Sequence, residues 1–186
     1  YDLVEVRYDE APLRKTVPDW SLDLPANPLR EPDIAAATRH KVVFNGGMMG
    51  QMMMGDDAAS MMQQMRDGAM WFINGQAADG HVMDPLVSMA LGTSHVFAMD
   101  NRTTWHHPIH LHGHSFRVIA RNGEPTRYRE WQDTVLVAPE ETVEIAFVAD
   151  NPGDWMFHCH ILEHQAAGMM AVVRVGDGAT GHRANL

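Results

Sequence analysis

A single cysteine in 186 residues means that no disulfide can close within the chain, so Cys159 is either a small buried hydrophobe or a functional thiolate. Positive charge is also scarce. Fourteen Lys and Arg against 24 Asp and Glu give a net charge of -10, which sets most of the surface against a phosphate backbone and speaks against nucleic acid as a partner. No run of about 18 apolar residues is present that could cross a bilayer as a helix, and there is no repeat of about 20 to 50 residues. With 45% hydrophobic and 20% charged residues, the composition is neither collagen-like nor disordered. The length suits one domain of ordinary size plus an attached segment. The sequence opens at Tyr1, which reads as a piece cut from something longer.

Two residue types are in excess: 12 His and 15 Met. Imidazole and soft sulfur are the donors that copper selects. Nine of the methionines (Met48, Met49, Met52, Met53, Met54, Met61, Met62, Met65 and Met70) fall in residues 48–70. Gly46, Gly47, Gly50 and Gly55 interrupt that stretch or lie just ahead of it. A Cu(I)-binding patch and an adaptable packing helix both account for it, because thioethers bind soft metal and also fill gaps.

Half of the ten prolines (Pro12, Pro18, Pro25, Pro28 and Pro32) lie in the first 32 residues, which predicts an extended connector over residues 1–39 without a core of its own. The short alternation at residues 2–8 reads as the end of a preceding domain. From His40 onward, short β-rich runs recur at residues 70–74, 86–99, 115–121, 133–138, 142–148, 154–160 and 170–175. Asn122-Gly123, residues 139–141 and Asn151-Pro152-Gly153 punctuate them. Val143, Ile145 and Phe147 alternate on one face, the pattern of a half-buried antiparallel strand. Many short strands so spaced predict an all-β sandwich or barrel over residues 40–176, with the methionine-rich insertion at 48–70 and a tail at 177–186. The one helix expected is at residues 57–66, capped by Asp56 or Asp57 and ended by Gly68.

The chemistry concentrates in two segments: Trp105-His106-His107-Pro108-Ile109-His110-Leu111-His112-Gly113-His114, and Trp155-Met156-Phe157-His158-Cys159-His160-Ile161-Leu162-Glu163-His164, followed by Met169. In an extended strand, His158 and His160 face one way and Cys159 the other. His110 and His112 likewise share a face, while His107, across Pro108, is free to point elsewhere. A blue-copper site takes two His, one Cys thiolate and a weak axial thioether, and His107, Cys159, His164 and Met169 supply that set. His110, His112, His158 and His160 remain as two His-x-His pairs. A zinc site from the same residues is the weaker reading, since four ligands suffice for it and the methionines stay unexplained. His40, His81, His95 and His182 read as ordinary surface or core histidines, and so do His106 and His114, although these two flank ligand candidates.

The segments His107-Pro108-Ile109-His110-Leu111-His112-Gly113 and His158-Cys159-His160, with His164 and Met169, resemble the C-terminal copper signatures of the multicopper oxidases, the group of laccases, cuprous oxidases and bilirubin oxidases. The resemblance spans residues 42–175. It implies a cupredoxin-like Greek-key β-sandwich with type 1 copper on His107, Cys159, His164 and Met169, type 2 copper on His110, and the type 3 pair on His112, His158 and His160. It further implies one-electron oxidation of a reductant, Cu(I) or a phenol, coupled to reduction of O₂ to water. Electrons would arrive at His164, on the loop nearest the surface, and pass through Cys159 to His158 and His160. The family's trinuclear cluster takes eight His and this chain offers four, so N-terminal cupredoxin domains are the implied partners. The methionine-rich stretch ahead of Phe72-Ile73-Asn74-Gly75 is similar to that of bacterial cuprous oxidases. Gln165 stands where some of those enzymes have a proton-delivering Glu. A periplasmic or secreted location is expected. Two rival readings are a free-standing blue-copper electron carrier, which leaves four paired histidines idle, and a Met-rich Cu(I)-binding module.

Overall fold

The computed structural model describes residues 23–47, 65–78 and 84–176, together with 4, 5, 7, 10, 11, 62 and 63. The strand expected at residues 2–8, most of the methionine-rich stretch, the tail after Gly176, His81 and His182 lie outside the described residues. Of the helix expected at 57–66, Met62, Gln63, Met65 and Arg66 are helical.

The described strands form two sheets. The first contains β1 (Thr38–Gly46), β2 (Trp71–Ile73), β4 (Ser94–Asn101), β6 (Phe116–Arg121), β7 (Glu124–Pro125), β8 (Trp131–Gln132) and β10 (Thr142–Val148). Its order is β2-β1-β4-β10-β6-β7, with β8 also on β6. The second contains β3 (Val87–Ala90), β5 (His107–Leu111), β9 (Thr134–Val137), β11 (Gly153–Cys159) and β12 (Met170–Gly176), in the order β3-β12-β11-β5-β9. Pairing is antiparallel except for β1 with β4 and β3 with β12, which run parallel. This is the expected all-β, cupredoxin-like sandwich.

The core lies between the sheets, where Phe44, Phe97, Phe116, Phe147 and Phe157 are fully buried with Met99, Ile109, Leu111 and Ile145. Each such side chain contributes roughly 1.5 to 3 kcal/mol relative to exposure. Val143, Ile145 and Phe147 of β10 point into this core, as their alternation predicts. Ala146, one position out of phase, joins Val96 and Ile119 in a second small cluster on the opposite face. Ile34 and Ala37 pack onto that cluster. The connector expected to have no core of its own is thus docked at its end. The Asp33 amide donates to Ser94 Oγ at 2.9 Å, and Glu31 pairs with Arg117.

Two elements differ from the sequence reading. Residues 86–99, read as one run, divide into β3 and β4 in different sheets. The break is at Gly92, whose φ of +81° only glycine adopts freely and whose amide donates to Ala149 O at 2.7 Å. Residues between Cys159 and Met169, read as a loop, contain a short helix α1 (Leu162–Ala166). Its length falls below any sequence periodicity that could have revealed it.

Candidate metal centre

Strands β5 and β11 lie side by side in the second sheet, with Phe157 opposite Leu111, His158 opposite His110 and Cys159 opposite Ile109. Side chains alternate across a strand, so His107, Ile109 and Leu111 of β5 turn into the core while His110 turns away. Phe157 and Cys159 of β11 likewise enter the core, and His158 shares the outer face with His110, its cross-strand partner. One pair of neighbouring strands therefore carries candidate metal ligands on both of its faces.

On the inner face, ligand atoms of His107, Cys159 and His164 all lie within 4.8 Å of one another. Cys159 Sγ is 3.7 Å from His107 Nδ1 and 3.6 Å from His164 Nδ1, and the two Nδ1 atoms are 3.1 Å apart. Cys159 and His107 are fully buried and His164 nearly so. Helix α1 delivers His164: its amide donates to Ile161 O at 3.0 Å, and the chain then returns through Gly168, φ +114°. A Cβ on Gly168 would lie 2.7 Å from both Ala77 Cβ and Trp71 O. Met169 is fully buried; its carbonyl accepts from the Cys159 amide at 3.1 Å and its amide donates to His164 O at 2.9 Å. Burial pushes the Cys159 thiol up to about 11 and, with the nearby His164 and His106, pulls His107 down to about 3. The Ile161 amide points at the sulfur from 3.4 Å and works against that rise.

His164 was expected near the surface, on a loop. Its ring instead turns inward from α1, 4.2 Å from Trp71 and 5.8 Å from Trp105 between ring centres. Trp71 is buried and Trp105 is about half exposed. Both tryptophan rings pack against this imidazole.

On the outer face, His110, His112, His158 and His160 gather. Ring centres are 4.7 Å apart for His110 and His112, 5.7 Å for His110 with each of His158 and His160, 5.1 Å for His112 and His158, and 5.6 Å for His158 and His160. His112 Nε2 and His158 Nε2 are 3.0 Å apart. His158 Nδ1 donates to Cys159 O at 2.9 Å, which leaves its Nε2 lone pair facing His112. His110 Nδ1 donates to Asp133 O at 2.8 Å and sits 2.9 Å from Thr134 Oγ1, so its Nε2 likewise keeps a free lone pair. Burial lowers the pKa of His112 and His158, and neighbouring imidazoles lower both further. Strand β11 ends at Cys159, yet His160 stays near His158 because its amide donates to Pro108 O at 2.7 Å. His160 is exposed. A cavity of about 280 Å³ opens beside His110, lined in part by Arg30, His114, Trp131, Asp133 and Asp150.

Sequence reasoning missed Asn101 and Thr103, both buried, with Thr103 Oγ1 2.8 Å from His107 Nε2; an Asn at the end of a strand and a Thr two residues beyond it look like ordinary turn residues. It also missed Trp71, which packs on both His107 and His164. His40 and His95 sit apart from both clusters and pair with each other at 2.9 Å. His114 is buried beside Phe147 and Trp155.

The sequence model of the multicopper oxidase family matches residues 47–179. A multicopper oxidase of Mycobacterium tuberculosis, MmcO, is 43% identical over 99 residues, covering 53% of this chain and 18% of that protein. The iron transport multicopper oxidase fio1 of Schizosaccharomyces pombe is 33% identical over 118 residues, 53% of this chain and 19% of its own length. Among solved structures, a multi-copper oxidase from Pseudomonas thermotolerans superimposes with a TM-score of 0.68 at 30% identity, over 85% of this chain and 34% of that one. One from Campylobacter jejuni, described as a metallo-oxidase, gives 0.63 at 27% identity over 84% and 34%. The chain thus spans about a fifth of these curated relatives and about a third of these structures.

Proposed function

The chain belongs to the multicopper oxidase family, and from that premise we propose that residues 40–176 are the C-terminal cupredoxin domain of such an oxidase, following a connector at 1–39. His107, Cys159, His164 and Met169 hold the type 1 copper, His110 the type 2 copper, and His112, His158 and His160 the type 3 pair. The donor set fits. Two imidazole nitrogens and a sulfur converge on one buried point, a combination of soft and borderline donors that suits copper over harder ions. When bound, copper supplies one-electron oxidation of a reductant at the inner site and reduction of O₂ to water at the outer one.

The chain's own contribution is placement. Helix α1 and the Met169 return clamp His164 and Cys159 against His107 from two directions, and the cysteine side chain is fully buried. Trp71 and Trp105 pack on His164 at the inner site, with Trp105 half exposed. Cys159 is joined by single peptide links to His158 and His160, so one short covalent path connects the two faces. His110 is held by Asp133 O and Thr134 Oγ1, which fixes the ring while leaving Nε2 outward. The outer cluster is partly exposed and has four imidazoles where the family uses eight; N-terminal cupredoxin domains, in the same or a separate chain, complete it. Cu(I) and phenols are the reductant classes proposed, and a periplasmic or secreted location accompanies them.

The observation that carries the reading is the back-to-back arrangement: Cys159 in the inner trio, and His158 in the outer quartet one residue away. Metal analysis and oxygen uptake test it. The full-length protein should bind several coppers and consume O₂ with a phenol or Cu(I), whereas residues 1–186 alone should not turn over as a monomer. A full-length protein with one copper, intense visible colour and no oxygen uptake would make it an electron carrier instead.

A further inference from the structure

We infer that Asn101 and Thr103 are positioning residues that fix the tautomer of His107, so that its Nδ1 lone pair is presented to the metal position. The inference rests on the reading of His107 as a ligand and adds what holds that ligand in its binding form.

The logic runs through a chain of buried hydrogen bonds whose polarity has one consistent solution. Asn101 is fully buried. Its side chain has a nitrogen 2.8 Å from both Trp105 O and Ala138 O. Two carbonyls can only accept, so the atom facing them is the amide nitrogen, and the other atom is Oδ1, an acceptor. The Thr103 backbone amide donates to that Oδ1 at 3.0 Å. Thr103 Oγ1 lies 2.8 Å from the same Oδ1. Since Oδ1 has no proton to give, the single hydroxyl proton of Thr103 points to Asn101. The only other acceptor recorded for that proton, Trp105 O, is farther away at 3.3 Å and likewise has no proton to give, so the hydroxyl oxygen accepts from the Trp105 amide at 3.2 Å and from His107 Nε2 at 2.8 Å. His107 consequently carries its proton on Nε2. Its Nδ1, 3.7 Å from Cys159 Sγ and 3.1 Å from His164 Nδ1, is left with a bare lone pair.

Reversing the His107 tautomer would leave His107 Nε2 and Asn101 Oδ1 competing for the single hydroxyl proton of Thr103, in a buried pocket where Asn101, Thr103 and His107 are all at most 3% exposed. An unmade buried hydrogen bond is costly. The same N–H···O bond makes the imidazole a stronger donor at the opposite nitrogen, because it draws positive charge away from the ring. Asn101 is anchored in turn by its backbone, whose amide donates to Glu141 O at 3.0 Å. The arrangement thus reaches from the β9–β10 turn, through two uncharged side chains, to one ligand atom.

Selective ¹⁵N-histidine labelling of the metal-free full-length protein, followed by NMR at neutral pH, reads the tautomer directly. The expected spectrum places the His107 proton on Nε2 and none on Nδ1; a proton on Nδ1, alone or with one on Nε2, overturns the proposal without any variant. Thr103→Val removes the acceptor at nearly constant volume. It should raise the Nδ1–H population, lower Cu(II) affinity about 10- to 100-fold and raise the reduction potential of the inner copper. Thr103→Ser should restore all three. A folded Thr103→Val protein with unchanged tautomer, affinity and potential also overturns the proposal, and if that variant does not fold, the unmodified protein's spectrum decides. Failure of the unmodified protein to bind copper would sink the ligand reading while leaving the tautomer assignment standing.

Discussion

His107 Nδ1 and His164 Nδ1 face each other across 3.1 Å with the Cys159 sulfur 3.7 and 3.6 Å from them. His107 is held neutral, its pKa pulled down to about 3, and burial also lowers that of His164. The Cys159 thiol, pushed up to about 11, keeps its proton at neutral pH. Loading this site must therefore release the thiol proton and none from His107. Unbuffered titration of the metal-free protein with Cu(II) near neutral pH is expected to release about one proton for the ion that generates the visible absorption. Cys159→Ser should abolish that absorption and the release together. Release of two or more would mean that a histidine is protonated before loading.

The two clusters should be separable by substitution. His112 and His158 meet at 3.0 Å on the outer face, and neither ring belongs to the inner trio. His112→Ala is expected to lower oxygen consumption by more than about 100-fold while leaving the thiolate–Cu(II) absorption in place. Loss of that absorption in a folded His112→Ala protein would show that the faces are not independent.

Much of this was legible because the period of a strand is a rigid rule. His158 and Cys159 could be sent to opposite faces from parity alone, and the donor types announced a soft metal. The Val143–Ile145–Phe147 alternation gave β10 its bounds for the same reason. What was not legible depended on tertiary placement. Trp71 and His164 are 93 positions apart, and nothing local says that their rings pack 4.2 Å apart. Helix α1 is too short to show a period, and the division of residues 86–99 turns on one glycine conformation at Gly92. Thr103 gained its contact with His107 from a turn that no propensity scale distinguishes from others.

Gly113 sits between His112 and His114 with φ +70°, and a Cβ there would lie 2.5 Å from Cδ2 of the Trp155 indole. The indole cannot retreat freely, since its Nε1 donates to Asn151 O at 2.9 Å. Gly113→Ala combines a disfavoured backbone angle with a steric clash and is expected to destabilise the fold by about 2 to 4 kcal/mol, measured by denaturant unfolding. Because the same turn carries His112, the variant should also weaken metal at the outer face more than at the inner one. A double-mutant cycle with Trp155→Ala should recover part of the clash energy; strict additivity would show that the indole is not the obstacle.

His95 is buried in the first sheet, and its hydrogen bonds leave no place for a second proton. Thr93 Oγ1 lies 2.6 Å from Ala90 O, to which it donates, so it accepts from His95 Nε2 at 2.7 Å. His95 Nδ1 then accepts from His40 Nε2 at 2.9 Å. Phe147 packs on its ring and Phe97 on that of His40, and His40 is the ionisable group that opposes a charge there. Burial, with His40, lowers the His95 pKa from 6.5 to about 4. The folded state therefore binds this proton less readily than the unfolded chain. The stability that follows is present in full above pH 6.5 and is lost as pH falls from there toward 4. Its ceiling is on the order of 3 kcal/mol. Other buried histidines contribute in the same direction, so the measurement is a difference: unfolding free energies of the unmodified protein and of His95→Gln across pH 4 to 7.5. The variant's curve should be flatter through this window, and parallel curves would show that His95 keeps an ordinary pKa in the folded protein.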